Sequence, residues 1–283
     1  MVLESLTNPI KGEKHPSRVF FLGFFYFSIA IFLSLWIFRE HSSLITVFLT
    51  TMAAIPLVFN TIKFEEKKDM SSLREKSLLK EHAKALALFL NLFLGVTVAC
   101  AVWYVVLPTE TIRTLFKVQV QTIVDMNPGA QGFAIDAFHN FVGILSNNLK
   151  VLIFCILFSF LYGVGALFIL NWNASVIGVA IGNFIRTEIY KISEVLSFGN
   201  AAHYFNVVSY GLLRYSLHGI PEIFSYLVAG LAGGIISTAT IKHDFGTVAY
   251  EKIILDSSVL LLLSLILVIL AAFLEVYVTP IFF

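Results

Sequence analysis

Charge is what this 283-residue chain has least of. Asp, Glu, Lys and Arg together make up 13% of it, against about 25% in an ordinary soluble domain. So small a charged fraction cannot cover a water-facing surface, which excludes a soluble enzyme and a disordered tail. An excess of one sign is also missing: 19 basic residues stand against 18 acidic ones, so there is no basic face for nucleic acid. The two cysteines, Cys100 and Cys155, sit inside apolar runs and read as small buried hydrophobes rather than as a redox pair. H-E-x-x-H, G-x-S-x-G, a glycine-rich phosphate loop and paired cysteine ligands are all absent. No catalytic residue, metal or cofactor is therefore expected.

What the chain does have is apolar residues, 58% of the total, with a mean hydropathy of +0.87. The runs are continuous rather than alternating, which argues for spanning helices and against a barrel. The fold class expected is an all-α polytopic membrane bundle. A cleavable leader is not expected, because the first apolar run is too long for an h-region of about 7–15 residues.

Charge-free stretches mark the spans, since about 20 apolar residues cross the hydrocarbon core. They predict helices over Val19–Phe38, Ser43–Asn60, Ala85–Leu107, 149–171, Pro221–Ile241 and Ser257–Val278. The stretch Val151–Ile185 carries no charge over 35 residues and is interrupted by Asn171-Trp172-Asn173. The small-residue piece behind the interruption, Ala174–Ile185, reads as a re-entrant or interfacial half-helix. Six crossings plus this irregular segment are expected. With six, thirteen of the nineteen Lys and Arg residues fall on one side, which places both termini in the cytoplasm of a multi-pass cell-membrane protein.

The organisation divides at residue 107. Residues 1–107 form a three-helix membrane segment whose charged linker, 61–84, reads as a cytoplasmic helix with a solvated face. Residues 108–283 begin with outer amphipathic helices over 109–147, Thr109–Val124 and Phe133–Leu145, separated by Asn127-Pro128-Gly129.

Four features rise above background. The first is His218-Gly219-Ile220-Pro221-Glu222. Pro at the first helical position and an acid in the first turn are a helix-start signal; a titrating or metal-binding His218/Glu222 pair is the alternative. The second is Glu275, an ionisable residue within a span. On six crossings it shares the inner leaflet with Glu222, Asn171 and Asn173, and these four with His218 are candidates for one polar intramembrane site. The third is Asn147-Asn148, read as a helix cap, with interhelical hydrogen bonding as the alternative. The fourth is small-residue spacing at Gly178-x-x-x-Gly182 and Gly230-x-x-x-Gly234, which lets helices pack closely within one chain or between two.

Taken together, Phe141-x-x-Ile144-x-x-Asn147-Asn148, Gly163 and Gly165, Asn171, Gly178, the His218-Gly219-x-Pro221-Glu222 run, Gly230/Gly233/Gly234, and Glu275 before Pro280 resemble the stage II sporulation protein M family over about residues 135–283. The resemblance implies an integral membrane protein without established catalytic activity. In spore-forming bacteria the namesake anchors peptidoglycan-degrading partners, and the family extends to archaea. A non-enzymatic scaffold in contact with membrane lipids, binding membrane-protein partners or a second copy of itself, is the reading this favours. A transporter with a polar site at Glu222/Glu275 is the first alternative, and an intramembrane metallohydrolase using His218, Glu222 and Glu275 the second.

Overall fold

The computed structural model describes Gly12 and residues 15–71, 78–126, 137–195, 201–241 and 246–282, and among these there is no strand. The helices are α1 (Pro16–Ile37), a 3-10 turn (Arg39–His41), α2 (Ser42–Ser71), α3 (Leu78–Val106), α4 (Thr109–Leu115), α5 (Lys117–Met126), α6 (Ala137–Tyr162), α7 (Ala166–Val195), α8 (Ala201–Ile241), α9 (Val248–Phe273) and α10 (Thr279–Phe282). A π-helical turn, Leu274–Val278, joins α9 to α10.

Among the described residues seven helices, not six, are long and apolar enough to cross a membrane. The additional one is α7. The chain breaks at Gly163–Gly165, where Gly163 has φ +68°, a conformation that an L side chain resists. Asn171, Trp172 and Asn173 lie inside α7 instead of interrupting it. Their amides are satisfied without a break: Asn171 Nδ2 donates to Thr51 Oγ1 at 3.0 Å, and Asn173 Nδ2 to the carbonyl of Ile169 at 2.8 Å. Ala174–Ile185 is accordingly the middle of a full helix and not a half-helix. An odd number of crossings would put the two ends of the bundle's chain on opposite faces, where six would put them on one.

Two further expectations change. The stretch 137–147 is the first part of the long helix α6 and not a separate amphipathic helix, so Asn147 and Asn148 occupy helix interior and cap nothing. Pro221 likewise lies inside α8, so it is not a helix start. A proline there removes one backbone hydrogen bond, and the tertiary packing of a 41-residue helix tolerates that loss. Asn127–Gly129, Phe133 and residues 72–77 of the charged linker lie outside the described residues.

Close approach of backbones holds the helices together. A β-carbon on Gly95 of α3 would stand 2.1 Å from the carbonyl oxygen of Phe20 in α1, and one on Gly23 would stand 2.5 Å from that of Leu92. Gly178 and Gly182 bring α7 onto α3, against Thr97, Cys100 and Tyr104. Gly230, Gly233 and Gly234 bring α8 onto Ala166, Ser159 and Ile62. These small-residue faces are therefore taken up within the chain. The most buried of these seven helices is α8 and the most peripheral is α6.

Side-chain contacts define two ends of the bundle. Ile62 of α2, the Gly163 turn and Gly234 of α8 meet at one end. At the other lie Ser43 with Gln119, Arg186 with Leu107, Phe141 with Tyr277, and His218 with Thr279.

Candidate intramembrane polar site

Where its buried stretch begins, α8 carries three polar side chains on one stripe. His218 and Glu222 are one helical turn apart, and Tyr226 follows one turn later. The Tyr226 hydroxyl donates to Glu222 Oε1 at 3.0 Å, while its ring is almost fully buried. Opposite stand Glu275 in the π-helical turn and Thr279 behind it. Thr279 Oγ1 lies 3.4 Å from His218 Nδ1 and donates to the carbonyl of Leu274 at 3.0 Å. The carboxyls of Glu222 and Glu275 lie within electrostatic reach of each other. Pro221, which removes one backbone hydrogen bond from α8, and the π turn next to α9 thus flank the same polar contact. Turns of this kind occur often at functional sites.

His218, Glu222 and Glu275 lie together at the end of the bundle that carries α4 and α5. Asn171 and Asn173 do not join them; their amides are engaged along α7 and with α2. Asn148 is buried on α6, and its Nδ2 has no hydrogen-bond partner. Among the described residues, no group of three His, Cys, Asp or Glu side chains is placed to hold a metal ion.

Two polar clusters escaped the sequence reading. At the α4–α5 end, Gln119 of α5 is 1% exposed. It accepts from Ser43 Oγ at 2.6 Å and donates to the Ser43 carbonyl and to Ser175 Oγ, both at 3.3 Å. Beside it, Arg186 of α7 caps the end of α3, donating to the carbonyls of Tyr104 at 3.0 Å and Leu107 at 2.8 Å and to Thr109 Oγ1 at 3.0 Å. The four last carbonyls of a helix lack helical partners, and a guanidinium is well shaped to take two of them. Amphipathic spacing in 109–124 was the visible signal; the burial of one glutamine was not.

The other cluster lies at the opposite end, inside the linker expected to be solvated. Glu65, Glu66 and His82 are fully buried. His82 Nδ1 stands 2.8 Å from Glu65 Oε2, and Lys68 pairs with Glu65 Oε1 while lying over the Phe64 ring. The pair ties the end of α2 to the start of α3 across 17 positions of sequence, a separation that helical spacing cannot reveal.

Comparison with known proteins agrees with the residue pattern. The family described as stage II sporulation protein M matches residues 27–280. An uncharacterised protein of Methanocaldococcus jannaschii is 30% identical over 174 residues, covering 60% of this chain and 84% of that protein. No solved structure matches the chain.

Proposed function

The chain belongs to the stage II sporulation protein M family, and from that premise we propose that it is a non-enzymatic scaffold of the cell membrane that holds partner proteins through the outward face of α6. The observation that carries this is the position of α6. It is the least buried of the seven apolar helices, and near its first turns Phe138 is 64% and Val142 47% exposed, at the end where α4 and α5 lie. Exposed aromatic and aliphatic side chains grouped on one helix face are what a membrane partner can bury. The glycine faces are engaged inside the chain, which favours a different protein over a second copy as the occupant.

The orientation we infer follows from seven crossings. Twelve of the nineteen Lys and Arg residues then flank the membrane on the side of the chain's start, so that side is the cytoplasm. The His218/Glu222/Glu275 cluster and α10 would lie toward the outer face.

Site-specific crosslinking tests the scaffold. Phe138→Asp and Val142→Asp should each lower recovery of crosslinked partner about tenfold, the loss expected from one interface contact of roughly 1.4 kcal/mol. Phe141→Asp is the less discriminating variant, because Phe141 packs on Tyr277 with ring centroids 6.1 Å apart. Unchanged recovery with Phe138→Asp would contradict the proposal.

One observation favours a second reading, a transporter-like role. Two carboxyl side chains, a tyrosine and a histidine converge between the Pro221-bearing stretch of α8 and the π-helical turn after α9, and transporter sites often use discontinuous helices. Cation or proton flux into proteoliposomes that falls to background in Glu222→Gln would support it.

A further inference from the structure

Lys150 is a charge that the packing of the chain does not account for. It stands at the middle of the 26-residue α6, which at 1.5 Å per residue runs about 39 Å. Wherever a hydrocarbon core of about 30 Å is set along that length, Lys150 lies about 10 Å or more inside it. The side chain is exposed, and no hydrogen bond or ion pair joins it to another described residue. Glu222 and Arg186, by contrast, are engaged within the chain, one by the Tyr226 hydroxyl and the other by the carbonyls that end α3. A charge turned to lipid at such depth is costly, and charged residues in spans almost always face protein or water.

The side of α6 that carries Lys150 faces away from the bundle. Asn148, Leu152, Cys155 and Ser159 form the buried stripe, and Ser159 meets Gly233 of α8. Lys150 lies opposite, in line with His139, Gly143 and Ser146 at helical spacing, all of them exposed. On Gly23, Gly95, Gly178 and Gly233 a β-carbon would stand 2.8 Å or closer to an atom of a neighbouring helix, whereas on Gly143 it would meet nothing within 4 Å. Gly219 of α8 is open too; Gly143 differs in sharing its face with a cation at membrane depth.

Resting on the scaffold reading of α6, we propose that this face seats a spanning helix of another membrane protein that carries a carboxylate at the depth of Lys150. The carboxylate supplies the counter-charge that hydrocarbon lacks. Gly143 and Ser146, one and two turns away, leave room for the partner's backbone to come close, as small residues do between helices in lipid. An anionic lipid headgroup offers the same charge but sits at the boundary, about 10 Å off along the helix, and makes no use of an open glycine.

The test uses the full chain in its native membrane, with a photo-reactive residue in place of Ser146 and, separately, a membrane-permeant carbodiimide, which joins an amine to a carboxylate in contact with it. A discrete photo-adduct with another protein should form through position 146. Lys150→Met should lower its yield about tenfold, and Lys150→Arg should keep it. Carbodiimide should link the Lys150 amine to an Asp or Glu within a spanning segment of that protein, identified by mass spectrometry of the joined peptides. Thermal stability of Lys150→Met should match the wild type, because the ammonium bonds nothing in the chain. An adduct whose yield Lys150→Met leaves unchanged would overturn the carboxylate while leaving the scaffold reading intact. Linkage of Lys150 only to a lipid, or to a second copy of this chain, would overturn it as well. No adduct through position 146, with partner recovery still dependent on Phe138, would move the partner off this face; no partner by either route would sink the scaffold reading itself.

Discussion

Gly95→Leu should unfold the α1–α3 contact, lowering stability by about 3 kcal/mol or preventing accumulation in the membrane. The β-carbon alone would stand 2.1 Å from the Phe20 carbonyl oxygen and 2.9 Å from its carbon. These are backbone atoms, which no rotamer change can move aside. Overpacking a well-packed contact costs about 1–3 kcal/mol where side chains can adjust, so a backbone clash belongs at the top of that range or above it. In lipid the contact has no hydrophobic replacement, because helix association there rests on close packing. Gly143→Ala is the control. Nothing lies within 4 Å of a β-carbon at that position, and within α6 alanine should be neutral or stabilising by about 0.5–1 kcal/mol. Thermal melts in one detergent, read by circular dichroism, compare the two; equal stability would contradict the packing described here.

Gln119→Leu should cost about 2–4 kcal/mol, through desolvated partners and not through lost volume. Leucine fills a similar space but leaves the Ser43 hydroxyl without its acceptor and the Ser175 hydroxyl without the Gln119 donor. Each buried polar group stranded in this way costs about 1–3 kcal/mol. Some relief is available, since Ser175 Oγ also donates to the Trp172 carbonyl at 2.7 Å and Ser43 Oγ accepts from the Val118 backbone at 3.2 Å. The expected signature is local: α4 and α5 loosen first, so proteolysis within 109–126 should rise before the global melting transition moves. Gln119→Glu, which keeps the acceptors but buries a charge, should do worse than leucine. A Gln119→Leu chain as protected as the wild type would show that α5 is held by its apolar residues alone.

The fold class was legible because lipid imposes it: long runs without charge can only be spanning helices. Helix number was not. Asn171 and Asn173 looked like a break because an amide in hydrocarbon needs partners, and whether Thr51 stands opposite is a tertiary fact. The true break did carry a local signal, Gly163 and Gly165 two residues apart within a stretch long enough for two helices. The same ambiguity governed Pro221, which is equally at home starting a helix or lying within one that neighbours hold. At the polar site, six crossings would set His218, Glu222 and Glu275 at the end opposite α4 and α5, whereas the fold sets them at the same end. Glu65 and His82 were hidden for a different reason. Interleaved charges read as solvated on any helical wheel, and only the fold of α2 against α3 shows that Glu65, Glu66 and His82 are buried.

The account turns on α7 being a seventh crossing, and sidedness of the two ends tests it most directly. Ser17→Cys and Ile281→Cys place single reporters at exposed positions near each end. Cys100 and Cys155 are buried and should stay silent to a membrane-impermeant maleimide. In sealed right-side-out vesicles the Ile281→Cys chain should label from outside, and the Ser17→Cys chain only after the vesicles are opened. Labelling of both reporters from one face would contradict seven crossings and return the polar cluster to the cytoplasmic leaflet.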